Sequence, residues 1–130
     1  MNGTDLYERF SSGTLYCDGR EKAFADVAWS PHPVFEGVRL KHLVTSQQTG
    51  GLFSYHLVEI APGKSIGRHV HAEQLETHEV AAGCGICLDD GREVIYTPGT
   101  VAVLRKNTPH EVQAGDEGLY LFAKFIPALN

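Results

Sequence analysis

The sequence predicts an all-β chain folded as a small antiparallel barrel or sandwich, and three observations carry that prediction. Apolar and β-branched runs of five to ten residues recur from residue 37 to residue 126, at a spacing of roughly ten residues that suits short strands. Proline and glycine punctuate them, in "APGK" (61–64), "DDG" (89–91) and "TPG" (97–99). Finally, 130 residues with 42% hydrophobic content suffice for one core, burying roughly two-thirds of the unfolded surface, and not for a second domain.

Taken in order, the elements begin weakly. "TDLYERF" (4–10) predicts a short helical turn capped by Thr4, and the two prolines of "WSPHP" (29–33) exclude helix there and favour an extended approach to the barrel. Residues 1–33 therefore read as an irregular N-terminal extension, and 34–130 as the barrel domain. "GVRLKHLVT" (37–45) alternates Val38, Leu40, His42 and Val44 against Arg39, Lys41 and Leu43, the period of a half-buried strand. Strands follow at 51–60 and at 76–83, the latter ending on a glycine. A hairpin turning at Asp90-Gly91 spans 85–97, and further strands cover 100–104 and 118–126.

Charge and cysteine content bound the setting. A formal net charge of −5 disfavours nucleic acid and anionic membrane as partners. No apolar run reaches the roughly 18 residues of a membrane span, and the first 30 residues are rich in charge where a signal peptide would be apolar. Three cysteines, Cys17, Cys84 and Cys87, fit free thiols in a reducing compartment, so a cytoplasmic location is expected. Cys84 and Cys87 are three apart, which on a strand sends them to opposite faces and disfavours a shared disulfide or metal.

The stretch "GKSIGRHVHAEQLETHEVAAG" (63–83) carries the chemistry. On a strand His69 and His71 share one face, and if Glu76 points inward from the next strand, His78 and Val80 follow it while Thr77 and Glu79 face outward. Imidazoles and a carboxylate suit one divalent transition metal, Fe, Mn, Ni, Zn or Cu, without selecting among them.

The spacing from Gly63 through His69, His71 and Glu76 to Gly83, G-x5-H-x-H-x4-E-x6-G, resembles the first motif of the cupin superfamily. "GREVIYTPGTVAVLRKNTPHEVQA" (91–114) resembles the second, through Pro98-Gly99 and His110. There Arg105, Asn107 and Ala114 replace the proline, glycine and asparagine common in the family. "WSPHPVFEGVRLKHL" (29–43) is also similar to the segment before the barrel in ChrR-like anti-sigma-factor cupins. The resemblance covers residues 52–126 and implies a jelly-roll barrel, a metal held by His69, His71, Glu76 and His110, and pairing as a homodimer.

Around that site, His78 is expected to face the barrel as the nearest proton carrier. Only one of Tyr55 and His56 can face inward, Lys124 is read as blunting an exposed edge or adding positive charge to the cavity, and His32 and His42 as surface or packing residues. Three functions stay open: a metal-dependent enzyme such as a dioxygenase, isomerase or lyase acting on a small polar or anionic molecule; a non-catalytic sensor of a small ligand or metal; and a domain stapled by its metal. The enzyme is preferred, because four protein ligands leave coordination positions for a substrate.

Overall fold

The computed structural model describes residues 2–130. Helix α1 (Gly3–Ser11) leads into the hairpin β1 (Thr14–Cys17) and β2 (Arg20–Ala23), a single 3-10 turn, and the short β3 (Ser30–Pro31). The barrel is built from β4 (Val38–Val44), β5 (Ser54–Ile60), β6 (Ser65–His69), β7 (Leu75–Asp89), β8 (Arg92–Tyr96), β9 (Val101–Leu104) and β10 (His110–Ile126), with a one-turn helix α2 (Ser46–Thr49) between β4 and β5. Every strand pair is antiparallel.

Two long strands make one barrel out of two sheets. The C-terminal half of β10 lies between β5 and the start of β7, whose other edge takes β9; the N-terminal half of β10 lies between β6 and the end of β7, which pairs with β8. Gly83 bends β7 between these halves rather than ending it: its φ is +80°, and an added Cβ would fall 2.0 Å from the Gly118 carbonyl oxygen. Only glycine combines that left-handed backbone with so close an approach of the neighbouring strand. Thus 76–83 and part of 85–97 are one strand, and β10 starts at His110 instead of near residue 118. The hairpin at Asp90-Gly91 forms as expected, with φ of +52° and +81°.

The core lies between the two walls and joins Val38, Val58, Ile60, Val80, Leu104, Val112, Leu119 and Leu121. A second apolar layer lies outside. Tyr7 and Phe24 from the N-terminal segment pack on Leu43 and Leu57, and the Tyr7 hydroxyl donates to the Val58 carbonyl at 3.0 Å. Burial of one such aromatic is worth on the order of 2 kcal/mol. The extension is therefore more regular than its sequence foretells, and α1 is capped by Asn2, not Thr4: the Asn2 side chain accepts from the Asp5 N–H at 2.9 Å.

This outer layer changes the reading of β4. Lys41 shares a face of this strand with exposed Arg39, yet it is only 4% exposed, with its ammonium donating to the Ser11 carbonyl at the end of α1. Lys124 blunts no edge, since β10 is interior to the sheet. It faces outward, paired with Glu79 and lying over the Tyr55 ring, so it adds no charge to the cavity. No helix among the described residues is long and apolar enough to cross a membrane.

Candidate metal centre

His69, His71, Glu76 and His110 converge, each offering one ligand atom within 4.8 Å of the others. The strands deliver them differently from a simple alternation. His69 ends β6 and pairs directly with His110 at the start of β10, and Glu76 lies near the start of β7. His71 is not on a strand: it lies in the loop after β6, where its ring meets that of His69 at 4.9 Å between centroids. The Asn107 N–H donates to the His71 carbonyl at 2.8 Å and holds that loop. Asn107 has φ +62°, so asparagine supplies the left-handed turn for which the resembling motif commonly uses glycine.

Hydrogen bonds set which nitrogens face the centre. Carbonyl oxygens only accept, so His69 donates from Nδ1 to the Gly67 carbonyl at 2.7 Å and His110 from Nδ1 to the Thr108 carbonyl at 3.3 Å, and in the neutral form of each ring Nε2 is then the nitrogen free to ligate. Burial pushes the pKa values of His69 and His71 below the ordinary histidine range, which favours the neutral, ligating form. For His110 burial pushes down too, but the Glu76 carboxylate outweighs it and the net direction is up. Burial would raise Glu76; His78 and His110 overcome it and hold the carboxyl well below the usual range, hence ionised.

The donor set fits a cation. Glu76 Oε1 and His110 Nε2 are buried, 3.1 Å apart, and neither has a hydrogen-bond partner; His71 Nε2 is 3.5 Å from the same oxygen. Two ligands each about 2.1 Å from one ion stand about 3 Å apart at right angles, so these orphaned atoms have the spacing of neighbours around a shared ion. Buried polar atoms left without partners are costly, and an ion satisfies both.

Behind the ligands runs a polar chain. His78, only 2% exposed, places Nε2 2.6 Å from Glu76 Oε2 and Nδ1 2.9 Å from the Tyr96 hydroxyl. The ionised carboxylate only accepts, so His78 carries a proton on Nε2, and in the neutral ring Nδ1 accepts from the Tyr96 hydroxyl. Tyr96 lies in the core beside Cys87, where burial raises the phenol well above its ordinary range. No pattern in the sequence pointed to Tyr96, because β8 reaches His78 only through the pairing of β7 with β8.

On the open side the centre faces a cavity of about 80 Å³, lined by His69, His71, Glu76 and His78 together with apolar residues, His32 and Leu129. His32 therefore belongs to the cavity rather than to the outer surface. His56 takes the inward position and Tyr55 the outward one, but His56 is spent internally: its Nδ1 lies 2.8 Å from His42 Nδ1 and its Nε2 2.8 Å from Ser54 Oγ. Cys17, Cys84 and Cys87 are free thiols, as their number and spacing suggested.

Fold and donor set together define a small jelly-roll barrel with a three-histidine, one-glutamate centre inside it. The chain belongs to the cupin family: the family model described as Cupin domain matches residues 56–123, just over half of the chain. No curated protein matches it in sequence. Among solved structures it is similar to a predicted oxalate decarboxylase from Thermotoga maritima, at TM-score 0.72 and 21% identity over 79% of this chain and 95% of that one. It is also similar to an RmlC-like cupin from Shewanella frigidimarina, at TM-score 0.69 and 16% identity over 82% and 88%. The polyketide cyclase RemF from Streptomyces resistomycificus matches at TM-score 0.67 and 20% identity over 79% and 75%. At these identities the likenesses speak for the fold alone.

Proposed function

We propose that this cupin is a metal-dependent enzyme acting on a small polar or anionic molecule, with His69, His71, Glu76 and His110 holding one divalent transition metal. The observation that carries this reading is the pair of orphaned buried atoms, Glu76 Oε1 and His110 Nε2, beside a cavity lined by the barrel interior. A cation bound there supplies a Lewis acid or a dioxygen site. His69 and His110 are oriented by the Gly67 and Thr108 carbonyls, and Glu76 by His78. Leu40, Val58, Ile66 and Phe125 exclude bulk water from the cavity. His78 lines it too, holds a proton at Nε2, and is the residue we assign to proton transfer with bound substrate.

The test is to load iron, manganese, nickel, copper and zinc separately and to screen small hydroxy acids, keto acids, sugars and thiols with and without oxygen. Any turnover is then repeated with His78→Ala. Tight ligand binding without turnover under every metal moves the assignment to a sensor, and protein that takes up no metal at neutral pH removes it. The reading includes a homodimer, supported by the exposed Val101 and Val103 on β9, which among the described residues pairs only with β7. Light scattering that returns a monomer across micromolar concentrations removes that part.

A further inference from the structure

His32 lines the metal cavity, and its turn decides which of its nitrogens can donate. The backbone N–H groups of Val34 and Phe35 both donate to His32 Nδ1, at 3.1 and 3.2 Å. A nitrogen that accepts carries no proton, so the neutral ring is protonated at Nε2, which has no hydrogen-bond partner among the described residues. Phe35 fixes the ring by stacking, at 4.8 Å between centroids, and itself packs toward His69, at 6.3 Å.

Facing His32's side of the cavity, the C-terminal segment contributes Leu129. Four hydrogen bonds hold it: Ala128 N–H to the Gly51 carbonyl at 3.0 Å, Leu129 N–H to Ser54 Oγ at 2.8 Å, and both the N–H and the hydroxyl of Ser46 to the Asn130 carbonyl, each at 2.8 Å. Leu129 is 39% exposed, so one face of its side chain lines the cavity while the other meets solvent. The cavity, about 80 Å³ and partly open to solvent, is far below the roughly 300–1,000 Å³ of sites for drug-sized ligands.

We propose that His32 and Leu129 are the specificity-determining residues of this site, selecting a short-chain oxyacid that puts oxygens toward the metal centre, accepts a hydrogen bond from His32 Nε2–H, and seats a compact apolar body under Leu129. This rests on the metal-centre reading above. A net charge of −5 leaves the cation and His32 as the attractions for such an anion, and the apolar walls of Val58, Ile66 and Phe125 reject a second charge.

The experiment uses the full chain loaded with cobalt(II), whose visible spectrum reports changes in coordination. Glycolate, 2-hydroxybutyrate and 2-hydroxyoctanoate are titrated into wild type, His32→Phe, His32→Gln and Leu129→Ala. Wild type is expected to bind the two short acids and exclude the long one. His32→Phe should weaken the short acids about tenfold at unchanged cobalt stoichiometry, the loss of one hydrogen bond to an anion, and His32→Gln, which keeps a donor, should recover most of it. Leu129→Ala should admit 2-hydroxyoctanoate. Equal binding of long and short acids by wild type, or undiminished binding by a cobalt-loaded His32→Phe, overturns the proposal, as does cobalt-loaded wild type that binds none of the acids; in each case the metal centre stands. Wild type that takes up no cobalt overturns both, and the stoichiometry tells these failures apart.

Discussion

His78 Nε2 lies 2.6 Å from Glu76 Oε2, so one oxygen of the carboxylate is engaged by His78 while the other, Oε1, is left facing His71 and His110. Tyr96 completes the arrangement, its hydroxyl 2.9 Å from His78 Nδ1. Tyr96→Phe removes that hydrogen bond with little change in the volume of the core. It should fold and yet bind metal about tenfold more weakly, because groups that orient a ligand commonly carry a tenfold to hundredfold effect. Competition titration against a chelator indicator measures it; an affinity equal to wild type shows that Tyr96 orients nothing.

Removing a ligand should act more strongly. His71→Ala and His110→Ala are each expected to lose at least about tenfold in metal affinity and to release the metal on dialysis against a weak chelator. Since an ion that binds only the folded state stabilises it by about 2.7 kcal/mol at a hundred times its dissociation constant, stripping the metal from wild type should lower the melting temperature. The stripped ligand variants should melt with no response to added metal.

The pair of buried His56 and half-buried His42 makes stability depend on pH. Burial, with His42 adding to it, lowers His56 from 6.5 to about 4, and burial lowers His42 as well. The unfolded chain binds a proton at His56 below pH 6.5 that the folded chain refuses until about pH 4, so acid favours unfolding. The stabilising contribution is complete above pH 6.5 and is lost progressively down to about pH 4, about 3 kcal/mol in all. Urea melts at several pH values, run on metal-free protein, should show a shallower acid loss for His56→Gln; parallel curves would exclude this source.

Two glycines with nearly the same backbone should respond unequally to alanine. Gly83 and Gly91 have φ of +80° and +81°, but a Cβ on Gly83 meets the Gly118 carbonyl oxygen at 2.0 Å, while one on Gly91 meets nothing within 4 Å. Gly91→Ala should cost about 1 kcal/mol, the left-handed penalty alone, and Gly83→Ala at least about twice that, since β10 must shift as well. Denaturant midpoints compare them directly.

The outer aromatic layer makes the N-terminal segment part of the fold. Tyr7 is fully buried against Phe24, Leu43 and Leu57, so Tyr7→Ala should destabilise the whole chain by about 3–5 kcal/mol. A calorimetric melt unchanged by that substitution would show the segment to be dispensable.

What the sequence by itself determined is whatever depends on neighbours along the chain. The all-β class, the Asp90-Gly91 turn and the inward parity of Glu76, His78 and Val80 were legible because strand alternation and turn chemistry are local, and the ligand candidates because two short motifs carry the family resemblance. Only the tertiary structure decided the rest. The bend at Gly83 depends on the approach of Gly118, and the burial of Lys41 on a helix that begins 38 residues earlier in the chain. Likewise, Tyr96 reaches His78 only because β8 pairs with β7, and His32 and Leu129, from opposite ends of the chain, meet at one cavity because the barrel closes between them. Such contacts arise where distant segments compete for the same buried space, and no window of sequence contains both partners.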